Sequence, residues 1–381
     1  EFVVLEVGPN RTKMPFKKWA IASVEQKKDC CGCNACGDIC PKNAIEMIED
    51  EKGFKYPKIN KEKCIECNLC IKVCPIINKK VMENNIMAYA CYNKNEEELK
   101  HSSSGGMFIL LAKEILKRNG VVFGAYLDKN YNVQHGYIEN KKDIKIFMGS
   151  KYVQSNIGET YRNVKYFLEK ERYVLYTGTP CQIEGLKTYL GKDYDKLYTQ
   201  DIICHGVPSP LVWEKYKEYR KNMDKNNPIK INFRDKNNGW NDFSMSFIYK
   251  NDKYIASHND DLFMNAFLKN TILRDSCYKC NFKNKYRISD ITLADYWGVN
   301  EVEPQMMNDS GVSLVLVNSS KGRELFRLIK NNIIYKETNL DEAIKYNPSF
   351  SNSSKMDKNR DKFFKMEMEL IKEESKKKDM S

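Results

Sequence analysis

Long apolar segments are absent from this chain of 381 residues. Its best apolar runs, such as Val312-Ser-Leu-Val-Leu-Val317, have the length of a strand, whereas a membrane-spanning helix needs about 18 apolar residues. The first residues, Glu1 to Val7, contain two acids and no basic leader, which is not the pattern of a signal peptide. The sequence therefore predicts a cytoplasmic protein with no transmembrane segment.

Two common nucleotide-binding motifs are also missing. The sequence contains neither G-x-G-x-x-G nor a P-loop, which argues against a standard dinucleotide fold and against an NTPase. The formal net charge is +12, but the lysines are scattered and no nucleic-acid motif is present, so we expect no nucleic-acid partner. A basic surface instead suits an acidic redox protein such as a soluble ferredoxin, or an anionic substrate.

Cysteine, by contrast, is abundant: the chain has 14, and eight of them form two copies of the pattern Cys-x2-Cys-x2-Cys-x3-Cys-Pro. This spacing is typical of bacterial ferredoxins, in which three cysteines of one run and the fourth of the other hold a [4Fe–4S] cluster. Zinc is the alternative, but it binds two Cys-x2-Cys pairs rather than two runs of four. The predicted ligands are Cys30, Cys33, Cys36 and Cys74 for one cluster, and Cys64, Cys67, Cys70 and Cys40 for the second.

The two runs predict a two-cluster ferredoxin domain over residues 23–84. Between them, residues 44–56 predict a β-hairpin, because two strand-like runs flank Asp-Glu-Lys-Gly. Thiolates that are free to bind iron indicate a reducing compartment rather than a disulfide-bonded secreted protein. Residues 1–22 are predicted to be an extension or a vector-derived segment. Cys31 lies at a spacing that ligands do not use, and it is predicted to be a spare thiol.

Residues 85–350 alternate strand-like and helix-like segments, which predicts an α+β or mixed α/β body behind the ferredoxin domain. Residues 351–381 form a charged C-terminal tail that is predicted to be helical and solvated. In the body, strands are predicted at 121–127, 133–138, 173–177, 197–203 and 312–317, and helices at 107–112, 158–171, 183–190 and 211–220.

The body contains Cys91 and four further cysteines whose pattern supports more than one interpretation. Cys181 and Cys204 each follow a predicted strand, and neighbouring strands end at the same edge of a sheet. Together with Cys277-Tyr-Lys-Cys280 they are candidates either for a third cluster or for structural thiols. A cysteine nucleophile is another alternative, because Cys181 at a helix N-terminus would be acidified and His205 would serve as its base.

Several short runs of the body, in their order along the chain, resemble the coenzyme F420 hydrogenase/dehydrogenase β-subunit family. The resemblance covers roughly residues 85–350, and the preceding ferredoxin domain makes the chain similar to the electron-input subunit of F420H2 dehydrogenase. The runs are Ser103-Ser-Gly-Gly106, Gly149-Ser-Lys-Tyr-Val-Gln-Ser155, Gly178-Thr-Pro-Cys-Gln-Ile-Glu-Gly-Leu-Lys187, Asp201-Ile-Ile-Cys-His-Gly-Val-Pro-Ser-Pro210 with Trp213, Ser276-Cys-Tyr-Lys-Cys-Asn-Phe282 and Arg287-Ile-Ser-Asp-Ile-Thr-Leu-Ala-Asp-Tyr-Trp-Gly298.

The resemblance implies FAD, a nearby [4Fe–4S] cluster and a two-electron organic substrate, of which coenzyme F420 is one. It implies Cys181, Cys204, Cys277 and Cys280 as ligands of the third cluster. Small residues before a helix suit a flavin phosphate, because N–H groups at a helix N-terminus bind anions. The expected FAD contacts are Ser103, Ser104, Gly105, Gly106, Ser150, Lys151, Tyr152, Gln154, Ser155, Thr177, Gly178, Thr179, Pro180 and Gln182.

Single residues of the body carry further expectations. Lys151 has two interpretations. It pairs with a phosphate or with the N1 charge of reduced flavin, or it is an ordinary surface lysine. Arg274 and Asp295 match the family without an assigned role, and Trp240 is expected in the core rather than against a ring. The candidate catalytic residues are His101, Lys151 and His205.

These patterns together predict an iron–sulfur flavoprotein oxidoreductase that passes electrons between ferredoxin-type clusters, FAD and a two-electron substrate. One alternative is a ferredoxin-dependent FAD reductase of another organic substrate, in an anaerobe without coenzyme F420. The others are a non-catalytic electron-transfer subunit of a larger complex and a cluster-bearing sensor without flavin. Cluster potentials span roughly −700 to +450 mV, so the sequence leaves the direction of electron flow open.

Overall fold

The structure is a computed structural model that describes residues 27–79 and 85–366. The predicted extension over residues 1–22, and the tail beyond residue 366, lie outside the described residues. The strands are β1 (Ile45–Glu49), β2 (Lys55–Ile59), β3 (Met87–Asn93), β4 (Val121–Leu127), β5 (Val133–Ile138), β6 (Val174–Thr177), β7 (Leu197–Ile202), β8 (Lys230–Asp235), β9 (Ser244–Ile248), β10 (Lys253–Ser257), β11 (Ile291–Asp295), β12 (Ser313–Val317) and β13 (Ile333–Thr338). The helices include α1 (Ala35–Asp38), α2 (Leu69–Lys72), α3 (Glu96–Lys100), α4 (Met107–Lys117), α5 (Thr160–Glu169), α6 (Pro180–Leu190), α7 (Pro210–Asp224), α8 (Leu262–Leu268), α9 (Val299–Val302), α10 (Ser320–Ile329) and α11 (Leu340–Lys345).

Eight strands form one mixed sheet in the order β13-β3-β12-β11-β7-β6-β4-β5. The four central neighbours β11, β7, β6 and β4 are parallel, and the outer strands pair antiparallel. Helices α4 and α10 pack on one face of the sheet, and α5 and α6 pack on the other. A central parallel sheet covered on both faces confirms the prediction of a mixed α/β body.

A separate three-stranded antiparallel sheet, in the order β10-β9-β8, has no counterpart among the predicted elements. It packs with α7 and α8 through a core of aromatic side chains that centres on Trp213 and Phe247. None of the helices in the described part of the chain is both long enough and apolar enough to cross a membrane.

The two N-terminal cysteine runs fold into near-identical loops. We call residues 30–40 the first cysteine loop and residues 64–74 the second. In each loop an asparagine after the second cysteine, Asn34 or Asn68, takes left-handed backbone angles near φ 60° and starts a one-turn helix. Strands β1 and β2 form the predicted hairpin between the loops, with Ile45 opposite Ile59.

The N-terminal module packs directly on the body. Ala35 and Val73, from the two cysteine loops, share one hydrophobic core with α5 and α6. Thr188 on α6 donates a hydrogen bond to the carbonyl of Val73 at 2.7 Å, and Ser209 donates one to the carbonyl of Lys52 at 2.5 Å. The two cysteine loops are therefore held at a fixed place against α6.

Candidate redox site

Three parallel strands place their carboxyl ends at one edge of the large sheet. These ends are Thr177 of β6, Ile202 of β7 and Asp295 of β11. Loops that follow parallel strands meet at such an edge, which is where open α/β sheets bind ligands. Cys181, in the first turn of α6, and Cys204, two residues after β7, both belong to this region.

Cys277 lies on the 3₁₀ turn Asp275–Lys279, and Cys280 is the residue after this turn. Burial raises the pKa of Cys204, and the thiols of Cys277 and Cys181 raise it further. Burial likewise raises the pKa of Cys277 to about 12, with added effects of Cys280 and Cys181. Because such effects act only over a short range, the four thiols lie in one region of the structure. We call them the cysteine quartet.

The first cysteine loop surrounds a small cavity of about 30 Å³. Cys30, Cys33 and Cys36 line it, and Cys74 reaches it from the second loop. The remaining lining includes apolar side chains such as Ile45, Met47 and Ile76. The fourth cysteine of this set thus comes from the other loop, which is the exchange typical of two-cluster ferredoxins.

The second cysteine loop lies closer to solvent. Burial raises the pKa of Cys70, with added effects of Cys67 and Cys64, so these three thiols lie together. Cys67 is exposed. The fourth predicted member, Cys40, follows α1, which packs against the α2 helix that carries Cys70.

Over residues 27–79 and 85–366, no three or more His, Cys, Asp or Glu side chains converge as the ligands of a single metal ion do. The cysteines of a cubane are not expected to converge in that way, because each thiolate binds a different iron atom at a corner of the cluster.

Cys31 connects the first loop to the quartet. Its buried thiol lies close enough to the thiols of Cys33 and Cys181 to shift the pKa of each. The two cysteine sets are therefore neighbours across a single side chain.

The structure does not pair Cys181 with His205, as the alternative of a cysteine nucleophile would require. His205 directs Nε2 to the side-chain oxygen of Asn270 at 2.6 Å, and the sulfur of Cys181 contacts the Thr179 hydroxyl at 3.1 Å. The contact with Cys31, followed by burial, raises the pKa of Cys181 well above its ordinary value. The contact with the Cys31 thiol and burial thus outweigh the helix N-terminus, and the free thiol is not acidified.

A cavity of about 730 Å³ opens beside the quartet, and Cys204 is part of its wall. This volume lies within the range of about 300–1,000 Å³ that is usual for cofactor sites. Eleven of the fourteen predicted FAD contacts line it: Ser103, Ser104, Gly106, Ser150, Lys151, Tyr152, Ser155, Thr177, Gly178, Thr179 and Gln182.

The other three predicted contacts lie elsewhere. Gly105 donates its N–H to Ser313 at 2.9 Å inside the sheet, and Pro180 is the first residue of α6. Gln154 points to the first cysteine loop, where its amide donates to the carbonyl of Cys31 at 3.0 Å. Gln154 is therefore absent from the lining of the large cavity, because spacing along a loop does not reveal which side chains face which side.

The N-terminus of α4 and a neighbouring loop form one end of the cavity. Gly106 precedes the helix with φ 75°, and no side chain caps the first turn. The hydroxyl of Ser103 accepts a hydrogen bond from the N–H of Ser150 at 2.7 Å, which ties the two loops together. Uncapped N–H groups beside serine hydroxyls suit an anion such as a phosphate.

Lys151 supplies a cation to the same end. Its ammonium donates to the carbonyls of Met148 at 2.9 Å and Ile146 at 3.2 Å. Burial lowers the pKa of Lys151 to about 7. An anion bound nearby would favour the protonated form, so this lysine is placed to hold one.

Histidine is rare in the sequence, with four residues, yet three of them line the cavity: His135, His205 and His258. The candidate His101 is outside the cavity lining, exposed at the end of α3, with Nδ1 2.8 Å from the carbonyl of Glu97. The rarity of histidine is a signal that marks the other three, of which only His205 is among the predicted candidates.

His135 is buried and held at both ring nitrogens. Nδ1 lies 2.9 Å from the hydroxyl of Ser155, and Nε2 lies 2.8 Å from the carbonyl of Thr177. Burial lowers the pKa of His135 to about 4, so the ring is neutral at ordinary pH. It positions two loops of the cavity rather than contributing a charge.

The far wall of the cavity combines a cation with aromatic rings. Arg234 pairs with Asp295, and its guanidinium lies 4.6 Å from the ring centre of Phe243 and 5.2 Å from that of Trp297. Trp240 stacks behind Trp297 at 5.1 Å and donates to Asp295 at 2.7 Å. Trp240 is buried in the core, as expected, whereas no motif of the sequence marked Arg234 or Phe243.

Comparison with known families agrees with this layout. Residues 171–343 match the family model for the C terminus of the coenzyme F420 hydrogenase/dehydrogenase beta subunit. This segment belongs to that β-subunit family. Residues 29–76 match the model "4Fe-4S dicluster domain", so the β-subunit domain follows a dicluster domain, and both resemblances inferred from the sequence are confirmed.

A chain of the F420-reducing [NiFe] hydrogenase complex from Methanosarcina barkeri is structurally similar to this protein. The two are 16% identical with a TM-score of 0.49, over 71% of this chain and 90% of the hydrogenase chain. No curated protein matches the sequence.

Proposed function

We propose that this protein is an iron–sulfur flavoprotein oxidoreductase that passes electrons between [4Fe–4S] clusters, FAD and a two-electron organic substrate, with coenzyme F420 as the first candidate. The position of Cys204 supports this most directly, because this residue belongs to the cysteine quartet and also lines the large cavity. A cluster on the quartet and a flavin in the cavity would be neighbours.

The cysteines divide into three sets under this proposal, and Cys31 lies between the first set and the third. When bound, the clusters carry single electrons, and FAD exchanges them for the pair that hydride chemistry needs. The sets are Cys30, Cys33, Cys36 and Cys74, then Cys64, Cys67, Cys70 and Cys40, and then Cys181, Cys204, Cys277 and Cys280.

The chain's own residues would bind and orient the flavin. Ser103, Ser104 and the first turn of α4 would hold a phosphate, and Lys151 would neutralise an anionic group. Gly178 and Thr179 lie between β6 and Cys181, where side chains are small enough for a planar ring to approach the quartet.

The opposite wall would receive the substrate. Phe243 and Trp297 offer flat apolar faces to a conjugated ring, and the cation of Arg234 lies close to both. A protein electron partner would approach the second cysteine loop, where Cys67 is exposed and Ile65 and Ile77 are 57% and 45% exposed. The basic net charge of the chain favours an acidic partner.

The proposal is tested by anaerobic purification with iron and flavin counts, followed by parallel assays with reduced coenzyme F420, NADH and reduced ferredoxin. We expect about twelve iron atoms per chain, from three clusters of four, and one FAD. If the purified chain contains no flavin, the proposed flavoprotein oxidoreductase is contradicted, and a cluster-bearing sensor without flavin is the remaining interpretation. Flavin that is bound but reduced by none of the substrates would favour an electron-transfer subunit that needs a partner.

A further inference from the structure

Two buried cations flank the cysteine quartet without a carboxylate partner in the described residues. Arg274 is 0% exposed and Lys283 is 7% exposed. The acid next to Arg274 in the sequence, Asp275, pairs instead with Lys52 and Arg360. An unpaired buried charge is costly, so an anionic group that balances these two cations is expected close by.

The Arg274 side chain spans the gap between the first cysteine loop and the quartet. Its guanidinium donates to three neutral oxygens: the carbonyl of Cys30 at 2.7 Å, the side chain of Gln154 at 3.0 Å and the carbonyl of Lys55 at 3.0 Å. Its own carbonyl accepts from the N–H of Cys277 at 2.9 Å. One residue thus links the backbone of both cysteine sets.

Lys283 occupies the other side of the quartet. Its ammonium donates to the carbonyl of His205 at 2.9 Å and contacts the Ser354 hydroxyl at 3.4 Å, both neutral groups. His205 follows Cys204 directly, and Lys283 lies three residues after Cys280.

The two cations approach the quartet from two sides. Arg274 is hydrogen-bonded through its carbonyl to the N–H of Cys277, and Lys283 donates to the carbonyl of the residue that follows Cys204. A [4Fe–4S]²⁺ core with four thiolates carries a net charge of about −2 by charge counting, which two cations balance.

We propose that Arg274 and Lys283 are positioning residues that raise the reduction potential of the cluster on the quartet, so that an electron is stabilised beside the cavity. This inference rests on the proposed function, because it requires a cluster at the quartet. Reduction adds one negative charge to the cluster, and a buried cation nearby favours that form. Removing either cation should therefore lower the potential.

The test is an anaerobic redox titration followed by electron paramagnetic resonance, on Arg274→Gln, Lys283→Met and the charge-retaining Lys283→Arg. The quartet signal is identified as the one that disappears in Cys277→Ser. We expect each charge-removing variant to lower the equilibrium constant for one-electron reduction about tenfold, which is 59 mV. Lys283→Arg should keep the wild-type potential, and the second-loop cluster, an internal control, should stay unchanged in all variants.

Iron counts distinguish the absence of the third cluster from the absence of an effect of the two cations. Wild-type protein with only about eight iron atoms would overturn the proposed third cluster itself. With three clusters present, an unchanged quartet potential in Lys283→Met would overturn the role of the cations. The same is true if Lys283→Met and Lys283→Arg lower the potential equally, since a packing defect would then explain both. If the Lys283 variants lose iron, Arg274→Gln still measures the effect of the other cation on the reduction potential.

Discussion

Cys277 is the residue that separates the quartet from the two N-terminal loops most cleanly. It lies on the 3₁₀ turn of the body, and the thiols with which it interacts electrostatically include those of Cys280, Cys181 and Cys204. We expect Cys277→Ser to lose about four of about twelve iron atoms while both N-terminal clusters remain, because only one cubane loses a ligand. Iron analysis and low-temperature spectra of the reduced protein measure this.

Cys91→Ser provides the matched control. Cys91 is fully buried, whereas Cys277 is half-buried, and Cys91 lies on β3 opposite Ser313, away from the other cysteines in the sheet register. Serine there should leave the iron content unchanged. Full iron retention in Cys277→Ser would remove the third cluster from the proposed function.

At this scale, spacing predicted the dicluster domain, because cubane ligation imposes a strict interval along the chain, whereas the quartet was implied only by the family resemblance. It did not predict how Gln154 or Arg274 are used. Both side chains act across the contact between the dicluster domain and the body, on loops more than 120 residues away. Such contacts depend on how distant segments pack, which no local pattern encodes.

Helix α6 is the element that joins all three parts of the site. It carries Cys181 in its first turn, and its Gly185 lies against the first cysteine loop. A Cβ added at Gly185 would lie 2.9 Å from the Tyr161 hydroxyl and 3.0 Å from the sulfur of Cys33. We expect Gly185→Ala to lower the free energy of unfolding, since overpacking costs about 1–3 kcal/mol and exceeds the roughly 1 kcal/mol gained in helix propensity.

Anaerobic denaturant titration and the absorbance of the clusters measure this change. Lys187→Ala, on the outer side of the same helix, is the control and should be nearly neutral. A more stable Gly185→Ala protein with unchanged cluster spectra would show that α6 does not press on the first loop as described.

The start of α6 also shows what element-level prediction misses. The sequence predicted the helix from residue 183, but it begins at Pro180. Proline suits the first helical position, and the side chain of Gln182 accepts the N–H of Thr179 at 2.9 Å to close the turn. The bounds of strands β4 to β7 were predicted to within about one residue, because these strands are short apolar runs between turns. Strands β8 to β10 are not apolar runs set off from polar turns in this way, and they were not predicted.

Across the whole molecule, the cysteine sets form a series from solvent to the cavity. The second loop is the most exposed, the first loop shares its small cavity with Cys70, and Cys31 joins the first loop to the quartet. Cys204 then faces the large cavity. A shared hydrophobic core between the dicluster domain and α6 fixes this order.

This order predicts that loss of a ligand in the second cysteine loop slows electron transfer from a protein partner and leaves the reaction at the cavity almost unchanged. We expect Cys67→Ser to lower the rate of reduction by a reduced ferredoxin about tenfold or more, while reduction of the flavin by its organic substrate changes less than about twofold. Anaerobic stopped-flow absorbance measures both rates. Glu66→Gln, at the neighbouring exposed position, keeps all ligands and should leave the substrate rate unchanged. If Cys67→Ser loses cluster iron yet accepts electrons from ferredoxin at the wild-type rate, the partner enters elsewhere, and the exposed second loop is not the outer end of the path.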